Sequence, residues 1–329
     1  MEFRTHIAIS PPDFCIDHSM RMMLFGSCFS EHIGSKLAEN KFQVDVNPFG
    51  ILYNPMSVSA ALKRIIAKNA ITLNDLVQHN ELYHSLMHHG SFSHPDKSVC
   101  VENISYRFDA ATRSIQHTDI FFVTLGTAYV YKWKETGEIV GNCHKFPAEL
   151  FLRHRVSVDE VVEEWKPLVE KLLKINPNAK VIFTVSPIRH WKDGAHENQL
   201  SKSILHLSID ALQHIFSENV LYFPAYEIIL DELRDYRFYA EDMMHPSSVA
   251  VDYVWERFSE TYFSESTRLL MKEWGRIAQD LRHRPLNTEV ASYRSFLEQT
   301  RRKLQRFSTN YPQIKCYDEL KKLETLLKN

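Results

Sequence analysis

Short apolar runs at Met22–Phe25, Ile120–Thr124, Val181–Val185 and Val220–Phe223 punctuate a chain in which apolar residues otherwise return every three or four positions. Runs of this length without alternation suit strands buried on both faces, and the intervening period suits amphipathic helices. Ser57–Asn69 begins with a capping serine followed by Leu62, Ile65 and Ile66. Ser157–Ile175 carries Val161, Val162, Trp165, Leu168, Val169, Leu172 and Leu173 on one face, with Pro167 expected to kink it. Asn198–Phe216 is a third helix. Buried strands alternating with helices predict an α/β fold, a three-layer sandwich around a mostly parallel sheet.

Polar motifs follow the strand-like runs. GSCFS (26–30) follows the first, LGTAYVY (125–131) the second and SPIRHWKDGAHENQ (186–199) the third; the last leads through Pro224–Tyr239 to DMMHPSS (242–248). In an open parallel sheet these segments meet at the carboxyl ends of the strands, where ligands bind. Beyond Phe263 the pattern changes. Ser264–Arg284, Thr288–Arg306 and Tyr317–Lys328 are charged and helical in spacing, separated by RPLN and NYPQ. The expected organisation is an α/β sandwich domain over 1–263 and a helical C-terminal appendage over 264–329.

At 329 residues, with 44% hydrophobic and 24% charged positions, the chain has an ordinary globular composition. No window approaches the roughly 18 apolar residues of a membrane span, and the N-terminus lacks the pattern of a signal peptide. Five scattered cysteines, at 15, 28, 100, 143 and 316, suit reduced thiols in a cytoplasm rather than a disulfide framework. Charge is uneven. Glu265–Asn329 has 14 Lys/Arg against 8 Asp/Glu, a net +6, which leaves −8 on the remainder. The tail helices also carry apolar positions such as Leu270, Ile277, Leu297, Leu304 and Leu323 that need a cover. The tail is therefore expected to dock on its own body or on a partner subunit. Neither a nucleic-acid nor a membrane partner is expected, and a homo-oligomer is compatible with the pattern.

A serine hydroxyl attacks carbonyl carbon only when a base takes its proton and a third group orients that base. Asp242-Met-Met-His245 supplies such a pair, because a three-residue offset on a turn lets the carboxylate reach the imidazole. With Ser27 in GSCFS the chain order is Ser, Asp, His. Cys28 is a rival nucleophile, expected to turn away from the cleft as a small buried side chain. HSLMHHGSFSHPD (84–96) places His84 and His88 at a helical ligand spacing but lacks the glutamate of HExxH, so no metal is expected. Its histidines either line the rim of an acyl or sugar cleft or pack within a loop. Arg189, His190, Arg234 and Arg237 either bind an anionic group, brace the dyad or form structural ion pairs.

Six segments in order carry a family resemblance: GSCFS (26–30), NPFGILYNP (47–55), VTLGTAYVY (123–131), NCHKFP (142–147), SPIRH (186–190) and RDYRFYAEDMMHPS (234–247). Over roughly residues 20–260 the chain resembles the GSCFA family, related to the SGNH/GDSL-type serine hydrolases with their flavodoxin-like sandwich. Ser30 stands where the family name has alanine, a small-for-small change. The resemblance implies Ser27 as nucleophile with Asp242 and His245 as its late dyad. It implies oxyanion donors at the backbone N–H groups of Ser27 and Gly50. The asparagine of the third SGNH block is missing from Gly126-Thr127-Ala128-Tyr129, which leaves Asn142 or the Thr127 hydroxyl to replace it. His88, His89, His144, Arg189, His190 and Arg237 are the expected substrate-binding residues. The implied activity is hydrolysis of an O-acyl ester, such as an O-acetyl saccharide, through a Ser27 acyl-enzyme without a cofactor. The alternatives are an acyltransferase with the same triad and a catalytically inactive carbohydrate-binding module.

Overall fold

The computed structural model describes residues 4–285 and 291–328. Its strands are β1 (Arg21–Gly26), β2 (Gln43–Val46), β3 (Leu76–His79), β4 (Leu82–Ser85), β5 (Ile120–Leu125), β6 (Tyr129–Trp133), β7 (Ile139–Val140), β8 (Phe151–Arg155), β9 (Lys180–Val185) and β10 (Val220–Tyr222). The helices are α1 (Cys28–Glu39), α2 (Pro55–Ala67), α3 (Lys97–Ile115), α4 (Val158–Ile175), α5 (Gly194–Ile215), the single turn α6 (Ala225–Glu227), α7 (Ser248–Tyr262), α8 (Glu265–Arg282), α9 (Ala291–Asn310) and α10 (Tyr317–Lys328). Five strands form one sheet in the order β2-β1-β5-β9-β10, with every neighbouring pair parallel.

Successive strand residues point to opposite faces, and here both faces are covered. Met23, Phe25, Phe121, Val123, Val181 and Phe183 pack against α2, α3, α4 and α5. Met22, Leu24, Ile120, Phe122 and Ile182 pack against α1 and α7. All six residues of β5 are buried, which is why its sequence IFFVTL shows no alternation. The expected three-layer sandwich is the observed one.

Helix α4 continues on both sides of Pro167, which lies on its exposed face, where water can satisfy the carbonyl that proline leaves free. One feature differs from the expectation, the number of strands. The short strands β2, β3, β4, β6, β7 and β8 went unpredicted because they are brief and only half apolar. Of these, β3–β4 form a hairpin and β7-β6-β8 a small antiparallel sheet beside the main one.

Helices α8–α10 share an apolar cluster that includes Leu270, Trp274, Leu297, Leu304, Phe307 and Leu323. The second tail helix was expected from Thr288; residues 288–290 lie outside the described residues, and α9 begins at Ala291. The tail docks on its own body. The Trp274 indole N–H donates to the Glu39 carbonyl at 2.7 Å, at the end of α1. The Lys41 ammonium lies 4.8 Å over the same indole and pairs with Glu319 of α10.

Trp274 is 3% exposed and joins the tail cluster to the sandwich. Trp274→Ala is expected to destabilise the protein by about 3–5 kcal/mol, as large-to-small changes of buried aromatics do. Limited proteolysis of the variant should cut first within α8–α10. Unchanged stability and an uncut tail would show that the contact does not hold it.

Candidate active site

The site begins where β1 turns into α1. Gly26 has φ +129°, and a Cβ there would lie 2.1 Å from the Thr124 carbonyl oxygen of β5, so only glycine lets the two strands approach this closely. The turn is pinned from both sides. The Gly26 N–H donates to the Asn47 side-chain oxygen at 3.0 Å, and the Ser30 hydroxyl bonds to the Phe25 carbonyl at 2.8 Å and to the Thr124 hydroxyl at 2.7 Å. Ser30 is thus more than a small-for-small replacement, since its hydroxyl ties α1 to the ends of β1 and β5. Ser27 is the N-cap of α1, its Oγ accepting the Phe29 N–H at 3.3 Å. Cys28 is the first residue of the helix.

The second half lies on the turn before α7. Asp242 Oδ1 accepts the N–H groups of Met244 and His245, each at 2.9 Å, while Oδ2 pairs with His245 Nδ1. Met243, with φ +57°, makes the bend that folds the carboxylate back. These backbone N–H groups, His245 first, followed by the imidazole itself, hold the Asp242 carboxyl down at about 2. Asp242 is therefore a carboxylate throughout the physiological range and fixes His245 with Nδ1 toward it, leaving Nε2 as the free ring nitrogen.

Both halves border one cavity of about 510 Å³ at the carboxyl ends of β1, β5 and β9. Ser27, Thr127, Asn142, Arg189, His190 and His245 line it, so the fold brings these six expected residues together, with Asp242 directly behind His245. Cys28 lines it too. The expectation that it turns away from the cleft is not met.

The other expected residues lie elsewhere, for identifiable reasons. Gly50 has φ +74° and gives its N–H to the Asn47 carbonyl at 2.7 Å, so it closes a turn and has no donor left for an oxyanion; the space a Cβ would need is filled by His89. His84 and His88 do not share a helix, because His84 is in β4. Both His84 ring nitrogens are engaged, with Ser93 Oγ at 2.6 Å and the His79 carbonyl at 3.1 Å. His88 stacks on Phe49 with ring centroids 4.2 Å apart and bonds to Ser85 Oγ; its burial pushes it down to about 3. His144 stacks on His84 and bonds to the Ser85 carbonyl, and burial pushes it down to about 4. His89 caps the turn Gly90–Phe92. These four histidines lie outside the cavity, and among the described residues no three His, Cys, Asp or Glu side chains gather as a metal site. Arg237 is exposed beside Asp235 and over the Phe238 ring, and Arg234 pairs with Asp231.

Sequence reasoning missed the residues beneath and around the cavity. Lys202 of α5 is fully buried, and its ammonium donates to the carbonyls of Gly126 and Ser186, each at 2.6 Å, at the ends of β5 and β9. One turn earlier, Asn198 Oδ1 accepts the His190 N–H at 2.9 Å; Ser201 Oγ accepts the Ala128 N–H at 2.7 Å and bonds to Thr127 Oγ1 at 3.1 Å. The signal was present. The stripe Leu205, Ile209 and Leu212 extends back one turn onto Ser201 and Lys202 and a further turn onto Asn198. Asn54 also lines the cavity; its Oδ1 caps α2 by accepting the Ser57 N–H at 2.8 Å, which leaves its NH₂ as the end facing other partners. Asn142 is similar, with Oδ1 accepting the His144 N–H. Thr127 has its backbone N–H on the Tyr53 carbonyl at 3.1 Å. The side-chain amides of Asn54 and Asn142 are thus donors of the kind an oxyanion needs. The remaining wall is aromatic and basic: Tyr53, Tyr129 and Tyr131, with Arg153 stacked 3.9 Å from the Tyr129 centroid and held by Asp193. Burial, then the Lys202 charge, pushes His190 down to about 4, so it is a neutral hydrogen-bonding group.

Sequence profiles of known families match over most of the chain, the GSCFA family over residues 21–258 and the GSCFA C-terminal domain over 274–329. The chain belongs to the GSCFA family. A search of curated proteins finds no match. Among solved structures, the GSCFA chain is similar to a family two carbohydrate esterase from Clostridium thermocellum in complex with cellohexaose (10% identity, TM-score 0.37, 78% of this chain and 65% of that one). It is similar to a carbohydrate esterase family 3 protein from Talaromyces cellulolyticus (10%, 0.35, 77% and 99%) and to the acetyl xylan esterase Est2A from the rumen bacterium Butyrivibrio proteoclasticus (10%, 0.37, 74% and 63%). Likeness at this level leaves the reaction to be argued from the GSCFA site itself.

Burial drives the Lys202 ammonium down from 10.5 to about 7. Between those values the unfolded chain binds more protons than the folded one, so unfolding free energy should rise with pH across about pH 7–10. Below about pH 7 both states are protonated and the slope ends. Urea midpoints of the wild type against Lys202→Met should show this slope only in the wild type. Parallel pH dependences would mean that Lys202 stays charged when folded.

Proposed function

We propose that the protein is an acyl-ester hydrolase that works through an acyl-enzyme formed on the β1–α1 turn. The observation that carries this reading is the meeting of that turn with the Asp242–His245 pair around one cavity. A nucleophile at a helix N-terminus, a histidine whose far ring nitrogen is anchored by a carboxylate, and side-chain amides nearby are the parts that acyl transfer needs. His245 takes the nucleophile's proton and returns it to the leaving alcohol. Asp242 keeps the ring in the required tautomer and stabilises the imidazolium. Asn54 and Asn142 stand as oxyanion donors in place of Gly50, an interaction typically worth about 3 kcal/mol in the transition state. The tyrosines Tyr53, Tyr129 and Tyr131 offer flat faces of the kind that sugar rings pack against, which favours an O-acyl saccharide such as an O-acetyl ester. An acceptor alcohol in place of water would make the same site an acyltransferase.

Purified protein assayed on a panel of acyl esters, with and without acceptor alcohols, is expected to turn over at least one donor. His245→Ala should lower kcat/KM by about 10²–10⁴-fold, the usual share of general base catalysis. Asp242→Asn should lower it less while leaving folding intact. An absence of turnover on every donor, or turnover indifferent to His245, would sink the hydrolase reading and favour a binding module.

A further inference from the structure

We infer that Cys28, rather than Ser27, is the side chain that carries the acyl group. The inference rests on the hydrolase reading above and assigns its nucleophile. Both residues border the cavity, but they are held differently. Ser27 keeps only 2% of its surface exposed, whereas Cys28 is partly open. The Ser27 hydroxyl is the cap of α1, accepting the Phe29 N–H, and the Ser27 N–H reaches back to the Thr124 carbonyl at 3.4 Å. To attack a substrate the hydroxyl would have to leave its cap and uncover a helix N–H. The Cys28 sulfur has no such duty.

The surroundings of Cys28 act on its sulfur in both directions. It stands in the first turn of α1, where the helix dipole favours an anion. The N–H groups of Cys28 and Phe29 and the Lys202 charge all act to lower its thiol; burial first and the Glu31 carboxylate second act to raise it, and these prevail. Tyr53 is a further titratable group close to it. The resting form is therefore the thiol, which requires a base, and His245 on the same cavity is that base.

The reaction balances without a further reagent. As Sγ bonds to the ester carbonyl carbon, His245 takes the thiol proton. The tetrahedral adduct collapses, the carbon–oxygen bond breaks, and the alkoxide leaves with the proton from His245, giving a thioester on Cys28. Water, deprotonated by His245, then adds to the thioester carbonyl. The carboxylic acid departs as the carbon–sulfur bond breaks, and Sγ recovers a proton from His245.

The test uses the full chain with 4-nitrophenyl acetate as acyl donor. One acetyl group should load onto the Cys28 peptide and be released by neutral hydroxylamine, which cleaves thioesters and spares oxygen esters. Cys28→Ala should lower turnover by about 10²-fold or more. Cys28→Ser, which keeps the size of the side chain, should lose the hydroxylamine-labile adduct and so guards against a misfolded alanine variant. Ser27→Ala should keep the hydroxylamine-labile adduct on the Cys28 peptide while melting at a lower temperature. A separate measurement needs no ester: the rate of Cys28 alkylation by iodoacetamide against pH. A sulfur paired with His245 gives a two-step rise whose lower step vanishes in His245→Ala. If no donor acylates the protein but this two-step profile is found, the hydrolase reading fails and the Cys28–His245 pairing stands. A hydroxylamine-stable adduct on Ser27, or a single alkaline step unaffected by His245→Ala, overturns the assignment.

Discussion

A lysine ammonium sealed from water has to find oxygen atoms, because an unpaired charge in the interior costs several kcal/mol. Lys202 finds two, the carbonyls of Gly126 and Ser186, on adjacent strands just past their last sheet residues. Carbonyls that would otherwise face each other with like dipoles are bridged by one cation, and the loops that follow them leave in defined directions. One loop carries Thr127 and the β6 tyrosines; the other carries Ser186, Arg189 and His190. The same helix fastens both loops again, through the neighbouring Ser201 to Ala128 and, one turn earlier, through Asn198 to His190. The cavity keeps its shape because its floor is held by buried polar groups of α5, every one of which has a partner on the loop above it.

That dependence explains what could be read from the sequence and what could not. The sheet was legible because β1, β5, β9 and β10 are short apolar runs, and burial on both faces leaves no other residue types acceptable. The dyad was legible because Asp242 and His245 are three residues apart and their geometry is local. The floor was less legible, since Lys202 in a helix is by default a solvated residue, and only its place on the Leu205–Ile209–Leu212 stripe marks it as buried. The histidines misled for the opposite reason. Four of them between residues 84 and 94 suggest a site, yet His88 stacks on Phe49 and His84 stacks on His144 with its edge to Phe146, so these rings pack beneath the turn that holds Gly50.

The glycines show the same division between local and distant causes. Gly26 and Gly50 both occupy left-handed or related backbone, and both sit in motifs that suggest a function. Gly26 is required because a side chain there would strike the β5 backbone; Gly50 is required because His89 fills the space beside it. Neither offers a free N–H to a ligand, since each N–H is spent on Asn47, one on its side chain and the other on its carbonyl. Asn47 thereby couples the β1–α1 turn to the loop after β2.

The two halves of the site are built with unequal stiffness. The β1–α1 turn is locked by Gly26, Asn47, Ser30 and Thr124, all buried, and it rests on strands in the middle of the sheet. The side chains of Asp242 and His245 bond within their own exposed turn, which is fastened by the Ala240 N–H to the His245 carbonyl at 2.7 Å and by the Ser247 N–H to the Phe238 carbonyl at 2.8 Å. The orientation of the His245 ring relative to Asp242 is therefore fixed locally, while its separation from the β1–α1 turn depends on how the exposed turn lies against the sandwich. Catalytic hydrogen bonds are commonly long before a substrate is present and tighten around it. In this fold the adjustable distance is the one between a rigid turn and a surface arm.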